Sequence, residues 1–279
     1  MSPEQKKPAG IGTCPQTAMD TAMRIYVCVK HVPDTAANIR PLGGTDFDET
    51  VRFIVNPYDE YALEQALRIR EKEGGDSEVV AVTVGKESAA VTLRSALAMG
   101  ADRGILVRTD RYFTDSIETS RLLKQAIDMD GPPSLIFTGK QSIDTEGMQT
   151  PYRLAALFDM PAVVNVVAFS MSGDRVTVER EVEGDLREVI EISIPCIIGA
   201  ARGLNRPRCA TLPDIMKAKK KEIRVISKAE LRIQEPLSTV ELLDLQPVPD
   251  RGRGTILNGR PDDMAHELLR LLRDEAKVI

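Results

Sequence analysis

The chain has 279 residues, 42% of them hydrophobic and 28% charged, which is enough apolar material for one large or two medium cores and excludes disorder as its main state. Lysine and arginine number 37 against 42 aspartates and glutamates, a net charge of −5 that argues against a general nucleic-acid binder and confines any basic patch to one locality. No run reaches the roughly 18 apolar residues of a membrane span and no hydrophobic signal core opens the chain, so the sequence reads as a cytoplasmic-type protein without membrane insertion.

Residues 1–22 mix Pro, Gly, Lys, Gln and Thr without periodicity and read as a disordered N-terminal extension. From Met23 the pattern becomes regular. Short β-branched runs at 24–30, 78–84, 104–107 and 134–138 read as buried parallel strands. Between them, helices are expected at 60–73 (Leu63, Ala66, Leu67 on one face), 87–99 (Ala90, Leu93, Leu97) and 115–129 (Ile117, Leu123, Ile127), with Gly100 closing the second. The alternation predicts an α/β fold: a doubly wound, mostly parallel, Rossmann-like sheet whose ligands sit beyond the C-terminal strand ends.

After Met160-Pro161 the runs 162–170, 175–182 and 187–200, with a turn at Ser172-Gly173-Asp174, predict antiparallel β material appended to the sheet as a hairpin. Beyond Gly203 the chain is loop-rich and basic, and 247–263 is rich in Pro, Gly, Arg and Asp. A last helix is expected at 264–276, carrying Leu268, Leu269, Leu271 and Leu272. The organisation read from this is an extension (1–22), an α/β domain (23–207), and a loop helix with an extended C-terminal arm (208–279) that packs on a partner chain because it cannot bury itself.

The chemistry-bearing residues are sparse. Cys14, Cys28, Cys196 and Cys209 form no Cys-x-x-Cys pair and the histidines are His31 and His266, so no metal cluster, disulfide framework or catalytic triad is expected. No Gly-x-x-x-x-Gly-Lys-Ser/Thr loop occurs, and neither Gly10-Ile11-Gly12 nor Gly252-Arg253-Gly254 is completed by a third glycine. With no evident actors for acid-base or nucleophilic catalysis, binding or carrier chemistry is the expectation.

Two segments stand at the ligand position of the fold. Gly139-Lys140-Gln141-Ser142-Ile143-Asp144-Thr145-Glu146-Gly147-Met148-Gln149-Thr150 follows the fourth strand and runs into a helix, where the N–H groups of Met148, Gln149 and Thr150 can bind phosphate. By itself it reads first as an ordinary capped strand-to-helix loop. Asn56-Pro57-Tyr58-Asp59 likewise precedes a helix; its backbone can read an adenine edge, but a plain helix start explains it as well.

The loop Gly-Lys-Gln-Ser-Ile-Asp followed by Gln149-Thr150 resembles the AMP loop of the electron-transfer flavoprotein β subunit. The stretches 96–104 and 178–185, and above all 204–221 (LNRPRCATLPDIMKAKKK), resemble further segments of that family, and the similarity runs in order from Met23 to Ile279. The resemblance implies that Cys28, Asn56, Pro57, Tyr58, Asp59, Val84 and Gly139 to Thr150 line a pocket for AMP. It implies an obligate heterodimer in which the α subunit holds most of an electron-carrying FAD while this chain cradles it and performs no bond chemistry. It also implies that Leu212, with Pro213, Ile215, Met216, Lys217 and Lys220, docks on acyl-CoA-type dehydrogenases of fatty acid oxidation, the electrons passing to a quinone-linked oxidoreductase. From the residues alone, Leu212 reads as a hydrophobic staple, and Lys217, Lys219, Lys220 and Lys221 read as a solvated face that on docking would steer.

The resemblance has a second branch. Asp144-Thr145-Glu146-Gly147 follows neither the Asp-Asp-Asp continuation of AMP-type loops nor the Asp-Gly-Asp-Thr of electron-bifurcating members. Gln149-Thr150 leans to AMP, whereas His31 to Thr35 and the ending 271–279 look more like bifurcating sequences. In that alternative a second FAD replaces AMP, lies near Cys28, His31 and Val32, and accepts hydride from NADH.

Overall fold

The computed structural model describes residues 23–74, 77–231, 233, 240–247, 252 and 254–279; the extension expected at 1–22 lies outside them. Thirteen strands occur among the described residues. They are β1 (Arg24–Cys28), β2 (His31–Pro33), β3 (Pro41–Gly43), β4 (Asp46–Phe47), β5 (Phe53–Val55), β6 (Glu78–Gly85), β7 (Arg103–Arg108), β8 (Leu135–Gly139), β9 (Ala162–Ser172), β10 (Arg175–Glu181), β11 (Arg187–Ser193), β12 (Cys196–Ala200) and β13 (Ile223–Ser227). The helices are α1 (Pro57–Glu73), α2 (Ala90–Met99), α3 (Ser116–Asp130), α4 (Thr150–Phe158), α5 (Leu212–Ala218) and α6 (Pro261–Arg270).

Nine strands form one sheet in the order β11-β10-β9-β12-β8-β1-β6-β7-β13, parallel from β9 to β13 and antiparallel at the β9-β10-β11 edge. Alternation along each strand sends side chains to two cores. Ile25, Val27, Val79 and Ala81 pack with Leu63, Leu67 and Leu93 of α1 and α2. On the opposite face, Tyr26, Val80 and Val82 pack with Leu122, Leu123 and Leu154 of α3 and α4. The sheet is therefore doubly wound. The chain steps outward from β1 to β6 and β7, then returns to β8 on the other side of β1, and that reversal opens a crevice at the C-terminal ends of β1 and β8.

Local chemistry explains the helix ends. Pro57 opens α1, with Asp59 and Glu60 in its first turn and Arg70 and Lys72 in its last. Asp115 caps α3, its carboxylate accepting the Glu118 amide at 2.6 Å. Gly100 ends α2 at a φ of +138°, against Leu67 of α1. The helix expected from residue 60 starts at Pro57, and the one expected from 87 begins as a single 3₁₀ turn before α2.

Two parts of the sheet differ from the sequence reading. The run 187–200 is two strands. Pro195, which cannot donate to a ladder, separates the alternating β11, an edge strand, from the wholly buried β12. Moreover, β12 is inserted between β8 and β9 in parallel, so only β9 to β11 form the antiparallel addition. At the far edge β13 joins β7, although the sequence around it reads as basic loop. Its one fully buried side chain, Ile226, gives too little apolar signal.

The described residues fall into two compact units. One comprises the chain up to Ile39 together with Asp48–Leu242, and contains the nine-stranded sheet. The other comprises Arg40–Phe47 and Leu243–Ile279. In it β3 and β4 pair, the Leu245 amide donates to the Gly44 carbonyl at 2.7 Å, and α6, none of whose residues is buried, continues into one wide turn over Leu271–Glu275. None of the described helices is long and apolar enough to cross a membrane.

Candidate functional site

The crevice is lined at its base by Cys28 of β1, Val82 and Val84 of β6, and Leu123 of α3, and on one side by the loop that follows β8. Of the residues expected there, Cys28, Asn56, Asp59, Val84, Gly139, Lys140, Gln141, Ser142, Thr145, Gly147, Met148, Gln149 and Thr150 line it. Pro57, Tyr58, Ile143, Asp144 and Glu146 do not line it, and Glu146 is exposed. Pro57 is the first residue of α1, Tyr58 lies under the Lys140 ammonium 5.2 Å from its ring centre, and the Ile143 amide binds Asn56.

Asn56 precedes α1 yet does not cap it. Its Nδ2 donates to Asp59 Oδ1 and to the Gln141 carbonyl, both at 2.9 Å, while its Oδ1 accepts the Ile143 amide at 3.1 Å. Its backbone amide donates to the Lys30 carbonyl and its carbonyl accepts the Asp59 amide, so the Asn56 backbone is already committed within the chain. Asp59 accepts the Lys30 amide at 2.7 Å and the Gly139 amide at 2.9 Å, tying β1 and β8 to α1. Its burial pushes the carboxyl up to about 7, against the pull of these donors and of the Lys30 charge. Gly139 is glycine because a Cβ there would lie 2.4 Å from Asp59 Oδ1 and 2.7 Å from Tyr58 Cβ; the close approach it permits is that of α1.

A second knot closes the loop's other flank. Lys30 Nζ pairs with Asp144 at 2.8 Å and donates to Ser142 Oγ, and the Tyr112 hydroxyl donates to Asp144 Oδ2 at 3.0 Å. Burial works to raise the Asp144 carboxyl, but the Lys30 charge and hydrogen bonds from Lys30, Ser142 and Tyr112 outweigh it, and the group sits below its ordinary value. His31 stacks on Phe53 with ring centres 4.2 Å apart and shares a 2.7 Å hydrogen bond with Thr92. Burial lowers the imidazole to about 4, so it is neutral at physiological pH. Lys30, Tyr112 and Thr83 were not read as site residues from the sequence. The available signal was their place just beyond or at C-terminal strand ends.

The groups left open in the crevice suit a polar, anionic ligand with an apolar body. The amides of Gly147, Met148 and Gln149 donate to no acceptor among the described residues. Met148, with a φ of +52°, precedes Gln149, with a φ of −95°, an alternation of hand that turns successive N–H groups to one side at the start of α4. The Gln149 side-chain oxygen is engaged by Ser116 and Arg153, so what this residue offers a ligand is donors, its backbone amide and its side-chain Nε2. Lys140 pairs with no carboxylate among the described residues. His31 Nε2 and Thr83 Oγ1, both buried on crevice-lining residues, lack any hydrogen-bond partner there. This donor set fits a nucleotide.

Away from the crevice, α5 stands proud of the surface. Thr211 and Asp214 form a capping box, Pro213 stiffens the first turn, and Ala218 alone is buried. Leu212 is 73% exposed, and Ile215, Met216, Lys217 and Lys220 are exposed with it. The approach to α5 is clamped to α1 by Arg208, which binds Glu64 at 2.8 Å and Glu71 at 2.6 Å, and by Asn205, which donates to the Tyr61 carbonyl at 2.9 Å. Burial would raise the Glu64 carboxyl, but hydrogen bonds from Arg208 and Arg68 outweigh it and hold it low.

Sequence comparison bears on the same architecture. The family profile described as the electron transfer flavoprotein domain matches residues 45–231. The chain is 38% identical over 261 residues to electron transfer flavoprotein subunit beta of Bacillus subtilis, covering 92% of this chain and all of that protein. It is 39% identical over 261 residues to the mitochondrial subunit beta of Arabidopsis thaliana, again over 92% of this chain and 100% of the relative. To subunit beta of Mus musculus it is 36% identical over 248 residues, covering 87% of this chain and 96% of the relative. The fold is that of a doubly wound α/β protein with a crevice at its topological switch point. The chain belongs to the electron transfer flavoprotein family, on the side of its beta subunits.

Proposed function

We propose that this chain pairs with an electron-transfer flavoprotein α subunit, binds AMP in the crevice and lends surface to the FAD held mainly by its partner. FAD supplies the electron storage. The protein's own part is to bind, orient and dock. The observation that carries the nucleotide assignment is the run of open amides from Gly147 to Gln149, in a crevice that Lys140 also lines, at the topological switch point of the sheet. In this reading the amides hold the phosphate, Thr150 at the start of α4 adds its hydroxyl, and Cys28, Val82, Val84 and Leu123 form the slot for the base. Burial raises the Cys28 thiol far above its ordinary value, so that side chain serves as a small apolar wall.

AMP is favoured over a second FAD by the state of the mouth. An isoalloxazine near Cys28, His31 and Val32 needs open ring-sized surface, yet Val32 is fully buried and His31 is stacked on Phe53. The exposed apolar residues of α5, flanked by Lys217, Lys219 and Lys220, supply a docking patch for acyl-CoA-type dehydrogenases, a small hot spot with steering charge. The arm from 243 onward, with Leu268 and Leu269 about half exposed, is the segment that packs on the α subunit. A quinone-linked oxidoreductase would take the electrons onward.

The test is co-expression with the α subunit, denaturation of the purified heterodimer and chromatography of the released nucleotides. One FAD and one AMP per heterodimer is the expected result. Two FAD without AMP would replace this reading by the bifurcating one, in which the crevice holds a flavin that accepts hydride from NADH.

A further inference from the structure

The lysine run that follows the docking residues is divided by the fold. Lys217, Lys219 and Lys220 are exposed, whereas Lys221 turns inward, its Nζ donating to the carbonyl oxygens of Leu97 at 3.2 Å and Ala101 at 2.6 Å. In the opposite direction one guanidinium nitrogen of Arg94, on α2, donates to the carbonyls of Ala218 at 2.7 Å and Lys221 at 2.6 Å. Each cation thus binds carbonyls at and just beyond the C-terminal end of the other's helix, where the helix dipole favours positive charge; the Ala218 oxygen also accepts the Lys221 amide at 3.2 Å. Burial lowers the Lys221 ammonium, as expected for a cation taken out of solvent to serve main-chain acceptors.

This exchange matters because α5 cannot hold itself. It has seven residues, too few to persist alone, and it buries a single alanine. Its neighbours Arg208 and Asn205 fix the approach to the helix, and its far end is held by the Arg94 and Lys221 bonds before the chain enters β13, which pairs with β7 from Ile223. Their acceptors are backbone carbonyls rather than mobile carboxylates, which ties the orientation of one main chain to that of the other.

We propose that Arg94 and Lys221 are positioning residues for partner recognition: by stapling the C-terminal ends of α2 and α5 to each other, they set the direction in which Leu212, Ile215 and Met216 face an incoming flavoenzyme. The inference rests on the docking role proposed for α5, and assigns to Lys221 a task different from that of the three exposed lysines beside it.

The experiment uses the heterodimer with its α subunit, reduced by an acyl-CoA dehydrogenase of the same organism over a range of heterodimer concentrations. Arg94→Ala and Lys221→Met are expected to raise the KM for the heterodimer about tenfold with kcat changed less than about twofold, a loss of the order carried by one or two hydrogen bonds to charged groups. Arg94→Lys and Lys221→Arg, which keep a donor, recover most of the wild-type value. Amide hydrogen exchange over 215–221 quickens in the first pair and not in the second. Reduction of the same flavin by dithionite is unchanged throughout. An unchanged KM in Arg94→Ala, with Leu212→Ala raising it, overturns the staple and leaves the docking role standing. If KM is unchanged in both variants, the docking role itself is overturned. Equal losses of KM and kcat that Arg94→Lys does not rescue mean general damage, and overturn the positioning role.

Discussion

Asn56 shows how one side chain decides whether the crevice exists. Its three side-chain hydrogen bonds reach Asp59, Gln141 and Ile143, so it joins the start of α1 to the loop that presents the open amides. Asn56→Ala leaves a carbonyl, an amide and a carboxylate short of partners and is expected to cost about 1–3 kcal/mol of stability. The heterodimer should also lose most of its AMP on gel filtration, as measured by nucleotide released per protein; full retention would show that the loop stands without this tie. Asp59 carries a pH dependence of definite sign. Its carboxyl keeps a proton up to about 7 in the fold, whereas the unfolded chain releases it near its ordinary value of 3.8, so the native state binds more protons between these limits. Its contribution to stability therefore falls as pH rises through that window. The melting temperature of the wild type relative to Asp59→Asn should be higher at about pH 5 than at about pH 8, and an equal difference at both would contradict the assignment.

At the scale of elements, the approach of α1 to β8 governs the site. The Gly139 Cα is where α1 touches the strand, with Asp59 and Tyr58 in the space a side chain would occupy. Gly139→Ala must push α1 away or distort the end of β8, at a cost of about 1–3 kcal/mol, typical of overpacking. Because the same displacement breaks the Asp59 bond to the Gly139 amide, thermal unfolding and AMP content should fall together; loss of one without the other would separate packing from binding. The sequence placed Gly139 at a strand end, at the start of the expected nucleotide loop; in the structure a neighbouring helix fills the space beside it. For α5 the sequence showed an apolar residue beside Pro213 and a lysine run. Which lysine of that run turns inward depends on α2, more than 100 residues earlier in the chain.

For the whole molecule, the doubly wound sheet was readable because its parallel strands are continuous apolar runs separated by helices of regular period, a pattern fixed by local chemistry. The crevice was readable in position for the same reason, since a doubly wound parallel sheet opens its cleft beyond the C-terminal strand ends. What escaped were elements whose identity rests on neighbours. β12 is a core strand because β8 and β9 flank it, and β13 is a strand because β7 offers an open edge. Lys30, Tyr112 and Thr83 belong to the site because three separate strand ends converge there.

The sequence by itself thus determined the class of fold, and it placed the expected site beyond the C-terminal strand ends, where the structure has a crevice, since periodicity, turn chemistry and strand-end position are local properties. Only the tertiary structure decided which groups remain free to act. Asn56 and the Gln149 oxygen are consumed by internal hydrogen bonds, whereas the amides of Gly147 to Gln149 are left open and Lys140, which donates to Asn165, pairs with no carboxylate among the described residues. A hydrogen-bonding group is available to a ligand only when no part of the folded chain has claimed it, and that is settled by contacts between residues far apart in sequence.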